Sequence, residues 1–362
     1  MFPEASLTSW SVLLFNSVGC DPRLLFTTGK QVASYVVKMS LPTNLQPTVT
    51  TQLSAIEGAL WGQFVGDAAA LGSHWIYDLD VVASQYPGGI QGFETPLKGH
   101  YHEGKNSGDL THYGDAALLL LESVAACGAF RETDFGLRFE SYFTSPSCKS
   151  YKDHATRETL EHLTQEPGNY QNGADDDQLA SVTRLVPVVV AYQQRPIPDM
   201  LEAVRRLTLV TQNHATAQAC TSAHAVLLQK LLSGTPFRQA FETTRTSPEV
   251  SCDSSDYFEF AYMLREMDVI TATGRFGQSC PLAQSFPAAL HAAWVHHDDF
   301  TIAVLNTVRA GGDNAGRAAM VGAWLGAANG LNGIPDEWLL RLRQRERIQA
   351  AITQLLAKLQ IS

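Results

Sequence analysis

Gly311-Gly312-Asp313-Asn314-Ala315-Gly316-Arg317-Ala318-Ala319-Met320-Val321-Gly322-Ala323-Trp324-Leu325-Gly326-Ala327 is the stretch whose reading decides the fold. It begins as a tight glycine turn and continues as a helix of small residues. Asp313 and Asn314 stand at the junction, where a helix leaves backbone N–H groups without intrahelical partners. Such a turn aims one carboxylate, Asp313, into the middle of a helical bundle. Arg317 follows four residues later, at the spacing that lets two helical side chains pair.

A second stretch shares this composition: Gly58-Ala59-Leu60-Trp61-Gly62-Gln63-Phe64-Val65-Gly66-Asp67-Ala68-Ala69-Ala70. Ser54-Ala55-Ile56-Glu57 before it has the pattern of a capping box that opens a helix. Gly58, Gly62 and Gly66 fall on one face. Each costs about 1 kcal/mol relative to Ala in a helix, and a second helix approaching closely is the simplest reason to keep them. Asp67 sits among apolar neighbours, where an unpaired carboxylate is expensive. It either caps and packs near the helix end or belongs to a site.

Working outward, apolar periodicity places helices over 114–127, 134–142, 179–192, 200–211, 214–232, 236–244, 257–268, 286–295, 300–308, 314–328 and 335–359, with almost no strand-like alternation. Pro335-Asp336-Glu337 is a strong helix start. Segments 85–109 and 146–177 read as long loops rich in Gly, His and Asp, the kind that carry function. No repeat or linker divides the chain, so the expectation is one all-α domain over 53–362, preceded by an irregular extension over 1–52.

Composition narrows the function. The 362 residues carry a net charge of −10 and no basic run, which argues against a nucleic-acid surface. No apolar run approaches the roughly 18 residues of a membrane span. The six cysteines are scattered without a CxxC pair, which fits a reducing, cytoplasmic setting; Cys127 and Cys220 read as small buried hydrophobes. A monomer acting on a small molecule is the expected state.

Four polar clusters ask for an explanation. His74 follows the first helix within His74-Trp75-Ile76-Tyr77-Asp78. His100-Tyr101-His102-Glu103-Gly104 precedes Thr111-His112-Tyr113-Gly114-Asp115, where Thr111 suits an N-cap but His112 and Tyr113 crowd one helix start. Gly173-Ala174-Asp175-Asp176-Asp177-Gln178 sets three carboxylates in a row, which repel unless a cation or helix terminus compensates. The fourth is Asp313 with Arg317. His224 reads as structural, and His296-His297-Asp298-Asp299 as a surface cap.

Together, Gly58-Ala59-Leu60…Gly66-Asp67-Ala68, Asn213-His214, Gly311-Gly312-Asp313…Gly322-Ala323…Gly326-Ala327 and Ile334-Pro335-Asp336-Glu337-Trp338 resemble the ADP-ribosylglycohydrolase superfamily over about residues 54–345. Thr111 to Asp115, Gly173 to Gln178 and Gly311 to Arg317 look most like its branch with J1 crystallin and selenoprotein J. The resemblance implies an all-α, single-domain orthogonal bundle with a central cleft. It also implies two Mg²⁺ ions and cleavage of an N- or O-glycosidic bond of ADP-ribose or a related nucleotide sugar. Carried across, Thr111 and Asp313 fall at metal positions; Asp67, Asn314 and Arg317 are expected to line the cleft as cofactor-binding residues. Asp176, Asp177, His112 and His74 are the catalytic candidates, with Asp176 or Asp177 as general base. The chain departs from the family where carboxylates are expected: His112 and Tyr113 follow Thr111, Ala315 replaces a second Asp, and Arg317 stands near a Thr position. Mg²⁺ needs oxygen ligands, so the binuclear site is expected to be degraded. Three alternatives remain. Protein cations replace the metal charge, with Asp313 paired to Arg317. One Zn²⁺ or Mn²⁺ binds His74, His112 and Asp313 with Asp67 or Asp176. Or the fold serves as a non-catalytic, crystallin-like or ligand-binding protein.

Overall fold

Two helices rich in glycine and alanine form the centre of the computed structural model, which describes residues 49–361. Helix α1 runs Val49–Ala70 and helix α14 runs Asn314–Asn329. They cross so closely that side chains have no room at the seam. A Cβ on Gly58 would stand 2.0 Å from Gly326 O, one on Gly62 2.1 Å from Gly322 O, and one on Gly66 2.0 Å from Ala318 O. Gly322 and Gly326 meet α1 in the same way. The glycines of α1 are therefore a contact face, as their spacing suggests.

Every regular element among the described residues is helical. Between the central pair come α2 (Leu79–Gln85), α3 (His112–Cys127), α4 (Glu132–Thr144), α5 (His154–Gln165), α6 (Val186–Tyr192), α7 (Ile197–Thr211) and α8 (Ala215–Leu232). They are followed by α9 (Phe237–Arg245), α10 (Cys252–Met263), α11 (Val269–Phe276), α12 (Leu282–Val295) and α13 (Phe300–Arg309). A 3₁₀ turn at Leu331–Gly333, α15 (Asp336–Arg341) and α16 (Arg345–Leu359) complete the chain. Helices α3, α6, α8, α12 and α13 pack around the α1–α14 core. No helix among the described residues is long and apolar enough to cross a membrane.

Four local expectations change. Helix α1 begins before Ser54, whose hydroxyl accepts from Leu331 N instead of capping. The helix expected over 179–192 is confined to α6; Pro187 in its first turn marks the start, and Ser181 N is taken by Gln212 Oε1 at 2.7 Å. The long terminal helix breaks between α15 and α16, where Arg343 N bonds Gly108 O at 2.9 Å. The loop expected over 146–177 contains α5, capped by Asp153 on Thr156 N at 2.8 Å. Cys220 is buried, but Cys127 is exposed. The extension expected over 1–52 lies almost wholly outside the described residues.

Candidate functional site

The Gly311-Gly312 turn fixes where Asp313 points. Both glycines adopt left-handed φ, +69° and +63°, which costs glycine little. A Cβ on Gly312 would fall 2.3 Å from Gln278 O. Gly312 N donates to Ile76 O at 2.8 Å, and Trp75 N donates to Gly312 O at 2.7 Å. This short bridge clamps the segment after α1 against the start of α14. His74 and Asp313 come together as a result, although 239 residues separate them.

Asp313 is completely buried, and both of its oxygens are occupied. His74 Nε2 donates to Oδ1 at 3.0 Å and the Tyr113 hydroxyl to Oδ2 at 2.9 Å. Burial raises its pKa, but the neighbouring His74 and the Arg317 charge outweigh that and hold it below the usual carboxylate range. Burial in turn pushes the His74 imidazole down to about 4, against the pull of Asp313. The expected Asp313–Arg317 ion pair does not form. Arg317, fully buried, donates to the backbone carbonyls of Gln278 (3.0 Å) and Gly311. The turn that orients Asp313 needs carbonyl partners, and the guanidinium supplies them.

Asp67 and Thr111 are committed elsewhere. Asp67 accepts from Thr111 N at 2.7 Å, from Gly114 N at 3.1 Å and from the Thr111 hydroxyl. It thereby caps α3 from α1, a helix-terminus role. Gly114 leaves the space for this, since a Cβ there would lie 2.2 Å from Asp67 Oδ2. Burial raises the Asp67 pKa to about 6 despite the Thr111 bonds. Asn314 ties the start of α14 to Ser73 Oγ at 3.0 Å and Val308 O at 2.9 Å. The residues expected as cofactor contacts thus serve the scaffold.

Histidines converge instead. His74 Nδ1 and His102 Nε2 are 2.9 Å apart, and nitrogens of His74, His102 and His112 all lie within 4.8 Å of one another. All three residues are buried. His112 Nε2 comes 3.4 Å from Asp153 Oδ2, inside ion-pair range but off hydrogen-bond geometry, so neither of its ring nitrogens is hydrogen-bonded. Burial raises the Asp153 pKa, but His112 and the Thr156 bonds hold it well below the usual range. Trp75, at φ +64°, lies over the trio with ring centroids 4.0 Å from His74, 5.6 Å from His102 and 5.2 Å from His112. A bulky residue in this region is strained.

On the solvent side, Trp75, Tyr77, Tyr101 and Tyr151 line a pocket of about 260 Å³ with Asp153, His154, Arg157, Gln178 and Cys280. His154 opens α5, and half of its side chain is exposed. Its Nδ1 meets buried Asp176 Oδ2 at 2.8 Å, and Asp176 Oδ1 accepts from Gln178 N and Gln212 Nε2, each at 2.9 Å. Asp176 therefore stands behind His154 instead of facing the pocket itself, while the side chain of Asp177 is half-buried and carries no bond in this network. His154 was missed in the sequence because its segment read as loop; Asp153 ahead of an amphipathic run was the available signal. At 296–299 the capping reading matches, with Asp299 accepting from Ile302 N at 2.9 Å.

A sequence model described as ADP-ribosylglycohydrolase matches residues 48–361. Crystallin J1A of Tripedalia cystophora is 26% identical over 316 residues, covering 83% of this chain and 95% of that protein. Crystallin J1B of the same organism is 24% identical, covering 82% and 94%. A solved structure titled ADP-ribosylglycohydrolase-related protein complex is similar with a TM-score of 0.66 at 24% identity, over 85% of this chain and 98% of that one; at that identity the likeness concerns the fold.

Proposed function

The chain belongs to the ADP-ribosylglycohydrolase family, and from that premise we propose a hydrolase of a glycosidic bond in an ADP-ribosyl or related nucleotide-sugar compound, working without a binuclear magnesium centre. The observation that carries this is the His154–Asp176 pair in the wall of the aromatic pocket. A histidine oriented by a buried carboxylate is a general-base arrangement. The Tyr and Trp rings suit a base or sugar face, and Arg157 suits a phosphate. With Nδ1 held by Asp176, Nε2, which lies 3.5 Å from Glu158 Oε2, takes a proton from water as oxygen bonds to the anomeric carbon, and the proton passes on to the departing group. The glycosidic bond breaks and its electron pair leaves with the departing group.

Two magnesium ions need several free oxygen donors. Both oxygens of Asp67 and of Asp313 are engaged by protein donors, Thr111 is committed to Asp67, and Asp313 faces imidazole and phenol. That donor set does not fit the pair, and no step above uses it. Because Asp313 is completely buried with both oxygens engaged by His74 and Tyr113, ligand binding without turnover is the second reading.

Incubation with ADP-ribosyl-arginine and ADP-ribosyl-serine peptides tests this. The expected result is release of ADP-ribose at a rate that added Mg²⁺ does not raise. His154→Ala should lower kcat at least about 100-fold, while Asp176→Asn has a smaller effect. A thermal shift with ADP-ribose but no release selects the second reading. Neither shift nor release overturns both.

A further inference from the structure

We propose that His74, His102 and His112 form a mononuclear zinc site, with Asp313 as the residue that orients one ligand. Three neutral imidazoles are a typical zinc donor set, and nitrogen ligands favour zinc over magnesium. The argument starts from Asp313. Its carboxylate accepts a hydrogen bond from His74 Nε2–H at 3.0 Å, which leaves the Nδ1 lone pair of His74 pointing at His102 Nε2, 2.9 Å away. A carboxylate behind a ligating histidine is the usual outer-shell partner of a metal-bound imidazole.

The spacing is close to what an ion requires. Bonds of about 2.05 Å at a tetrahedral angle put two ligating nitrogens about 3.3 Å apart. The His74–His102 pair must open by only a few tenths of an ångström. The third nitrogen, inside the 4.8 Å limit of the group, must move in by no more than about 1.5 Å on the same geometry. No hydrogen bond tethers either ring nitrogen of buried His112; the polar contact it would loosen is the 3.4 Å approach of Nε2 to Asp153 Oδ2. On binding, His102 keeps its proton but moves it from Nε2 to Nδ1, a nitrogen with no partner.

The site joins the segment after α1, the loop before α3 and the first residue of α3. None of its three histidines lines the pocket that holds His154, and Trp75 lies against all three rings. The proposal therefore stands apart from the hydrolase reading, and either can fail alone.

The test is metal uptake by the full chain. Protein stripped with chelator and titrated with Zn²⁺ against a chromophoric competitor should bind one equivalent and melt at higher temperature with zinc present. Co²⁺ in its place should give the visible absorption of a tetrahedral site. His102→Gln and His112→Asn should each lose the cobalt spectrum and weaken zinc binding by about 100-fold, and Asp313→Asn by 10- to 100-fold. No uptake by the folded wild-type chain overturns the proposal without any variant. Uptake unchanged in folded His102→Gln also overturns it, as does uptake of two magnesium ions.

Discussion

The α1–α14 seam and the histidine-lined mouth lie at the two ends of the same short turn, yet they are built on opposite principles. At the seam, backbone meets backbone, and glycines leave space only for each other. At the mouth, Trp75 holds a strained φ of +64°, both nitrogens of His112 lack partners, and Tyr101 is 61% exposed. A seam of this kind has one solution. The mouth keeps strain and unpaired polar atoms that a purely structural region has little reason to retain. The contrast teaches where to look: the seam holds the two central helices together, and the strain and unpaired polar atoms gather at the mouth.

The sharpest way to break the comparison is to put a methyl group into the seam. In Gly62→Ala the new Cβ would stand 2.1 Å from Gly322 O, a backbone atom that cannot swing away. The helices must part along their length, so the expected loss is about 3 kcal/mol or more by urea unfolding. Stability within about 1 kcal/mol of wild type would mean that the two helices are not in backbone contact, and the seam would lose its special status.

A titration sharpens the contrast, because the mouth and its Asp67 support change charge in acid while the glycines do not. His74 has a folded pKa of about 4 against 6.5 unfolded. Its neutral form is favoured on folding, so stability falls as pH drops from 6.5 through about 4, by about 3 kcal/mol in all. Asp67 acts in reverse. Its folded pKa of about 6 exceeds the ordinary value of 3.8, so its contribution is fully present below 3.8 and is lost as pH rises through 6. The two offset each other over most of the window. In Asp67→Asn nothing at position 67 offsets the acid-side loss from His74 and from the other histidines whose pKa burial lowers, such as His102 and His224, so stability should fall more steeply from pH 6.5 to 4 than in wild type. Gly62→Ala should lower stability at every pH with the wild-type slope. Equal slopes in Asp67→Asn and wild type would refute this pairing. Asp313 and Asp153, both held below the usual range, lose their contribution only below the ordinary carboxylate pKa.

The sequence is legible where structure depends on local spacing. Glycines at 58, 62 and 66 announce a contact face because helical periodicity alone aligns them. Gly311-Gly312 announces a turn because few other residues adopt its φ values. His74 and His112 stood out through their neighbours. What stayed hidden depends on chain folding back over long distances. His102 joins His74 only when a loop 28 residues away returns, and nothing in His100-Tyr101-His102 says which imidazole turns inward. Arg317 and Asp313 have the right spacing to pair, but spacing cannot reveal that Gln278 and Gly311 offer carbonyls and that His74 arrives first. His154 was lost with the helix that carries it.

The smallest expected effect on stability separates strain from support at the mouth itself. Trp75→Asn places in the left-handed region a residue that tolerates it, which relieves about 1 kcal/mol. It also removes a ring stacked 4.0 Å from His74, and a ring of that kind contributes about 1 kcal/mol beyond its burial. These two nearly cancel and leave the burial of a half-buried ring, so unfolding should shift by no more than about 2 kcal/mol, whereas binding of ADP-ribose should weaken by at least about tenfold if one base-stacking contact is lost. A destabilisation well above 2 kcal/mol with unchanged ligand binding would show the opposite: the ring would then be a buttress for the histidines, and its strain would belong to the scaffold, like the glycines of the seam.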